Sequence, residues 1–273
     1  VRARPVGEVT RGTTNPNRLR RVDRWIAGTQ AARLRRPGPA PIVVDLGYGR
    51  AGTTARELHD RLRAVRPDVQ VVGLEIEPQR VADAQPLARP GLSFALGGFE
   101  VPLPGGACAS VIRAFNVLRQ YDEPAVPRAW ARMITRLEPG GVLIDGTCDE
   151  VGRLATWIAL DADGPRSLTI SLGLRGLQLP SQVAPRLPKV LISRNVPGQG
   201  VHDWLAALDE GWTRAAPLAP YGRRQRFLEA VSHVGEQGWP IIGGRSRWRL
   251  GEVTVAWAAV APRGMIETAP PGG

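Results

Sequence analysis

The chain has 273 residues, 43% of them hydrophobic and 22% charged, which excludes a collagenous or wholly disordered polymer and a mini-protein that needs staples. Glycine and proline, at 32 and 25, make it loop-rich without making it low-complexity. The net charge of +11 is concentrated: residues 1–36 hold ten arginines against Glu8 and Asp23, a net +8, and only Lys189 among the cations is a lysine, so the basicity marks one segment and not a whole surface.

Residues 1–14 read as irregular. Asn15-Pro16 offers an N-cap and a first helical residue. Leu19, Val22, Trp25 and Ile26 follow at helical spacing, predicting a helix to about Arg35 with Arg18, Arg20, Arg21 and Arg24 on its polar side. Three prolines in residues 36–41 then make a stiff linker, so that 1–41 is a basic arm ahead of the globular unit. From residue 42 short apolar runs of the buried-strand type, at 42–46, 69–75, 92–96, 110–115 and 141–145, alternate with helical stretches at 53–65, 78–84 and 124–137. This rhythm predicts an α/β unit over 42–150 with a mostly parallel sheet covered on both faces. Beyond it, 154–160 and 168–172 flank a turn-rich stretch at 161–165 and read as an antiparallel hairpin. Residues 201–213 and 222–237 read as helices and 247–260 as one or two strands, giving an α+β elaboration over 151–262 and a disordered tail from 263. Five of the eight tryptophans lie in this last third, where packing is the common use of large aromatics.

Cys108 and Cys148 have no CxxC spacing and no flanking histidines, so free thiols are expected, with neither a disulfide framework nor a zinc site. No apolar run reaches the roughly 18 residues of a membrane span, and residues 1–36 lack the apolar centre of a signal peptide. A cytoplasmic protein without membrane contact is expected.

The most informative stretch is Val43-Val44-Asp45-Leu46-Gly47-Tyr48-Gly49-Arg50-Ala51-Gly52, which ends the first strand and opens a helix. Glycines here let the backbone turn and approach a ligand, and the helix start supplies amide donors. Read literally, Gly47-x-Gly49-x-x-Gly52 with Glu75 after the next strand is a dinucleotide fingerprint, which keeps a nicotinamide-dependent oxidoreductase in view. Asp45 discriminates, because a carboxylate below a pyrophosphate repels it while suiting a cationic ligand. The stretch resembles motif I of the class I S-adenosylmethionine-dependent methyltransferases. Val71–Glu77 resembles that family's second strand, Phe94–Pro104 its third-strand region, and Leu137-Glu138-Pro139-Gly140-Gly141 the turn before its fifth strand.

This resemblance implies a Rossmann-like doubly wound sheet of the class I methyltransferase fold, with S-adenosylmethionine as cofactor and S-adenosylhomocysteine as product. It places Asp45, Gly47, Tyr48 and Gly49 at the methionine part and Glu75 on the ribose hydroxyls, a pairing that a carboxylate's acceptor capacity suits, with Glu77 as the fallback. Ile76, Gly98, Phe99 and Asn116 complete the cofactor set. Gly98 stands where the family often has aspartate, which leaves the adenine contact to the Phe99 amide and ring or to Glu100. The Asn/Asp-Pro-Pro-Tyr/Phe signature of base methylases is missing from Asn116-Val117-Leu118-Arg119, so a small-molecule acceptor is favoured.

Methyl transfer needs alignment more than any fixed catalytic signature. Arg119 and Tyr121 are expected to face the acceptor, and Glu150, Asp149 and His202 are the candidate bases for an oxygen or nitrogen nucleophile. No Asp-Asn pair accompanies Asp145, and no metal is predicted. The alternatives are RNA as acceptor, held by Arg18–Arg24 and by Arg223, Arg224 and Arg226, and a non-catalytic protein that retains the fold.

Overall fold

The computed structural model describes residues 4–10, 12 and 15–263. The chain enters through helices α1 (Arg20–Thr29) and α2 (Ala31–Leu34) and then alternates β1 (Ile42–Leu46), α3 (Thr53–Arg63), β2 (Gln70–Glu75), α4 (Pro78–Ala84), β3 (Leu92–Leu96), β4 (Ala109–Phe115), α5 (Ala125–Ile134) and β5 (Leu137–Cys148). Strands β6 (Leu154–Asp161) and β7 (Gly164–Leu172) follow as a hairpin. Helices α6 (Lys189–Ile192), α7 (Gly200–Arg214) and α8 (Arg223–Glu236), the two-residue β8 (Ile241–Ile242), α9 (Arg245–Trp248), β9 (Glu252–Ala256) and α10 (Trp257–Val260) complete the described chain.

All nine strands form one sheet in the order β3-β2-β1-β4-β5-β6-β7-β9-β8. The first five pair in parallel and the rest antiparallel. The parallel half is the Rossmann-like doubly wound arrangement. Its winding reverses between β1 and β4, and in open α/β sheets ligands bind outside the carboxyl ends of the strands at that reversal.

Alternation along the strands divides the core into two layers. Val44, Leu46, Ile112 and Leu143 pack with α5, α7 and α8 side chains such as Trp130, Trp204 and Phe227. Val43, Val111 and Ile144 pack on the other face with Trp25, Leu58 and Trp157. Trp204 and Trp212 are fully buried, so these two tryptophans of the last third serve packing.

Two local readings need correction. The first helix starts at Arg20 and not at Pro16, because Asn17 takes a positive φ of 60° and gives its backbone N–H to the Glu57 carboxylate at 2.8 and 3.0 Å. Residues 247–260, read as one or two strands, hold one that is shorter than the range: Trp248 ends α9, Gly251 turns with φ 77°, and Trp257 opens α10, leaving Glu252–Ala256 extended. The tail expected to be disordered lies, from residue 264, outside the described residues.

Three of the four arginines on the basic side of α1 face protein, while Arg24 is exposed. Arg18 Nε donates to the Asp149 carbonyl at 3.0 Å, Arg20 Nη1 to Val151 O at 2.8 Å, and Arg21 to Gly152 O at 3.1 Å and to Ser171 Oγ at 3.1 Å. These guanidiniums dock α1 on the turn between β5 and β6, whose carbonyls lack strand partners.

Candidate cofactor and acceptor site

The site begins with a register. Asp45 of β1 lies beside Arg113 of β4, and both side chains are buried. Arg113 Nε and Nη2 grip the Asp45 carboxylate at 3.0 and 2.8 Å, its Nη2 also reaches the Thr54 carbonyl at 3.1 Å, and its Nη1 pairs with Asp23 of α1. Asp23 in turn holds Arg61 of α3 at 2.6 Å. Burial alone would lower the basicity of Arg113, but the carboxylates of Asp45 and Asp23 raise it above the ordinary arginine value. Thr54 Oγ1 donates to Asp45 at 2.7 Å. Asp45 therefore sits at the first turn of α3 as an anchored carboxylate, tied to β4, α1 and α3.

Above it the chain turns through Gly47, Tyr48 and Gly49. Gly47 has φ 69°, and a Cβ there would meet Val117 Cγ2 at 2.6 Å, so glycine fits where both conformation and space exclude a side chain. Gly47 N donates to the Leu74 carbonyl at 2.7 Å and Gly49 N to Glu75 Oε2 at 3.1 Å, stitching the loop to the end of β2. Glu75 is buried and also accepts from Ile76 N at 2.9 Å, with Arg80 Nη1 at 3.6 Å. Gly52 is the N-cap of α3, where a Cβ would strike Phe94 at 2.8 Å; this third glycine serves helix-to-sheet packing. Tyr48 is buried against Phe94, ring centroids 5.2 Å apart, and burial raises the pKa of its hydroxyl.

A cavity of about 570 Å³ opens at the carboxyl ends of β1 and β4. Asp45, Gly47, Tyr48, Gly49 and Asn116 line one part of it, and Arg18, Arg119, Gln120 and Arg186 another. Asn116 carries a positive φ of 59°, held by its own N–H on Gly146 O at 2.7 Å and its Oδ1 on Cys148 N at 3.0 Å. Arg119 Nη1 donates to Pro185 O at 2.7 Å, and burial, then the neighbouring Arg186 charge, lowers its pKa. Two guanidiniums on this wall are therefore close enough to repel.

The remaining predicted residues divide. Glu75, Ile76, Gly98, Phe99 and Tyr121 surround a second space of only about 20 Å³, room for about one water. Val6, Gly7, Glu8 and Thr10 wall it from the other side. Glu77 precedes α4 and is only half-buried, which leaves Glu75 as the enclosed acid. Asp149, Glu150 and His202 line neither space. Asp149 Oδ1 accepts from Arg153 N at 2.7 Å and shapes the β5–β6 turn, Glu150 is exposed with its carbonyl on Asn15, and His202 lies on α7 beside Asp203. Sequence reasoning missed Arg113, whose signal was a lone charge within the apolar run Ser110–Phe115, and Arg186, which has no such signal. Among the described residues no group of His, Cys, Asp and Glu could hold a metal, and no helix is long and apolar enough to cross a membrane.

Fold and site together give a Rossmann-like sheet with a glycine turn and a buried acid at adjacent strand ends, at the reversal where open α/β sheets hold ligands. No family model and no curated protein matches the chain. Among solved structures it is similar to the CcbJ methyltransferase from Streptomyces caelestis, at 20% identity and TM-score 0.37 over 57% of this chain and 71% of that one. It is also similar to the plantazolicin methyltransferase BpumL in complex with SAH, at 10% identity and TM-score 0.37 over 49% of each chain. A third is the magnesium protoporphyrin IX methyltransferase ChlM from Synechocystis PCC 6803 with bound SAM, at 16% identity and TM-score 0.36 over 47% of this chain and 58% of that one. The chain thus spans about half the length of the latter two.

Proposed function

We propose that the chain is a class I S-adenosylmethionine-dependent methyltransferase whose acceptor is a small molecule carrying negative charge. The observation that carries the reading is the joint between the Gly47–Gly49 turn and Glu75, where a glycine amide and a buried carboxylate meet at the ends of two adjacent parallel strands. The four ordered sequence blocks support the same reading.

The residues suit the cofactor's parts. Glu75 has acceptor capacity for the two ribose hydroxyls, Ile76 and Phe99 offer apolar surface to the base, and Asp45 with the Gly47–Gly49 turn borders the cavity meant for the methionine part. When bound, the cofactor supplies an electrophilic methyl group on a sulfonium. Asn116 and Gln120 offer amides for orienting an acceptor, while Arg119 and Arg186 offer charge to an anionic one. Asp45 is the only acid lining the cavity among the described residues, and Arg113 holds it. Such a wall favours a nucleophile that arrives already deprotonated, a carboxylate, phenolate or thiolate, over one needing a base.

Two alternatives have less support. Asp45, bonded to Thr54 in the first turn of α3, stands where a nicotinamide cofactor's pyrophosphate needs an approach free of carboxylate. RNA contact through α1 would require Arg18, Arg20 and Arg21 to release the carbonyls they hold. Isothermal titration separates the classes: S-adenosylhomocysteine is expected to bind and NADH or NADPH not to, and binding of the nicotinamide cofactor alone would overturn the proposal.

A further inference from the structure

The adenine end of the proposed site is not open space. The backbone of Val6–Glu8 runs through it and makes the hydrogen bonds a base would make. Phe99 N–H donates to the Val6 carbonyl at 2.9 Å, and Val6 N–H donates to Glu100 Oε2 at 2.8 Å. Glu100 is positioned for this by its other oxygen, which accepts from Gly98 N at 2.9 Å. An adenine presents the same pair along its Watson–Crick edge, an exocyclic amine that donates beside a ring nitrogen that accepts. Gly7, at φ 138°, lies against the side chains that would sandwich the base: a Cβ on it would stand 3.5 Å from Ile76 Cδ1 and 3.6 Å from Phe99 Cε2. Glu8 N–H donates to Tyr121 Oη at 2.5 Å, tying down the far end of the three-residue segment.

We propose that Val6–Glu8 is a backbone surrogate for adenine, so that this segment and the nucleoside cofactor exclude one another. The inference rests on the methyltransferase reading and adds to it a self-occupied state of the same site. It explains the contrast in volume, about 570 Å³ at the methionine and acceptor end against about 20 Å³ at the adenine end. It also gives Gly98 a role. A Cβ there would come within 2.0 Å of Val6 O, 2.8 Å of Val6 C and 3.0 Å of Val6 N, so the segment seats only on glycine. By the family resemblance, a side chain at this position is compatible with a bound cofactor.

The test uses two full-chain variants. Gly98→Ala pushes the segment off by contact, and Val6→Pro removes the N–H that Glu100 accepts. Release from two or three hydrogen bonds is expected to raise S-adenosylhomocysteine affinity roughly tenfold or more in each, measured by isothermal titration. Hydrogen exchange supplies a second readout. Adding S-adenosylhomocysteine to the unaltered chain is expected to expose the Val6 and Glu8 amides while Phe99 N–H stays protected by its new acceptor, since linkage is reciprocal. Binding of equal strength in all three chains with unchanged exchange at Val6 and Glu8, or weaker binding in the variants, overturns the surrogate and leaves the methyltransferase reading standing. Failure of all three chains to bind overturns both.

Discussion

Replacing Arg113 with Met removes the cation that three elements share. Its guanidinium is fully buried and contacts Asp45 at 3.0 and 2.8 Å, the Thr54 carbonyl at 3.1 Å, and Asp23. Methionine fills much of the volume but leaves two carboxylates, 2% and 0% exposed, without their main partner. Breaking a buried pair from one side costs about 3–5 kcal/mol. Arg61 at 2.6 Å from Asp23 and Thr54 Oγ1 at 2.7 Å from Asp45 offset part of the loss, so the lower half of that range is expected. Against a typical total of about 5–15 kcal/mol this is a large share, equivalent to a fall in Tm of roughly 6–16 °C for a chain of this size. Urea denaturation at pH 7 measures it. In the variant Asp23, whose pKa burial already pushes up to about 6, gains further affinity for protons in the folded state, so the deficit narrows as the pH falls toward 4. The triple variant that also carries Asp23→Asn and Asp45→Asn recovers most of the loss. A deficit below about 1 kcal/mol, or one independent of pH, would show that Arg113 is not the centre of this network.

Four further outcomes follow from the same geometry. Glu75→Gln is expected to weaken S-adenosylhomocysteine binding by about 10–100-fold in titration calorimetry, since a charged acceptor for hydroxyls is lost. Asp145 is buried with Trp130 Nε1 at 3.0 Å, and burial pushes its pKa up to about 7. A carboxyl raised in this way is protonated in the fold and ionised in the unfolded chain between about pH 4 and 7, so its contribution falls as pH rises through that window and levels off above it. Asp145→Asn should therefore flatten the decline in urea-measured stability between pH 5 and 8 while retaining the Trp130 bond. Arg21→Ala, which loses Gly152 O and Ser171 Oγ, is expected to cost about 1–3 kcal/mol in urea without altering cofactor affinity. Arg186→Ala should leave S-adenosylhomocysteine binding intact and raise the KM for any anionic acceptor found by substrate screening.

Much of the parallel half is legible in the sequence because strong punctuation bounds it. The strands Ile42–Leu46 and Leu92–Leu96 and the helix Pro78–Ala84 agree with expectation residue for residue, each enclosed by Pro, Gly or charged residues. Strand β5 is longer than its apolar run, since Leu137 pairs with Ala109 ahead of a register shift in which Gly140 takes φ 73°. The range 247–260 was read too long because Gly251, at φ 77°, ends the α9 turn just ahead of the strand that starts at Glu252. At the site, Glu75 and the Gly47–Gly49 turn were legible because local spacing encodes them. The binding of Asp45 and Asp23 by Arg113 was not, as it joins residues 68 and 90 positions apart. Nor was the seating of Val6, whose contacts are made by the backbone N–H and C=O that nearly every residue carries.

In the proposed function, Glu75 at the end of β2 holds the nucleoside cofactor beside the Gly47–Gly49 turn. Titration of S-adenosylhomocysteine into the Gly98→Ala chain, with and without Glu75→Gln, tests it most directly. Saturable one-to-one binding is expected, and Glu75→Gln is expected to weaken it by at least about tenfold. No binding by the Gly98→Ala chain, or binding that Glu75→Gln leaves unchanged, would contradict it.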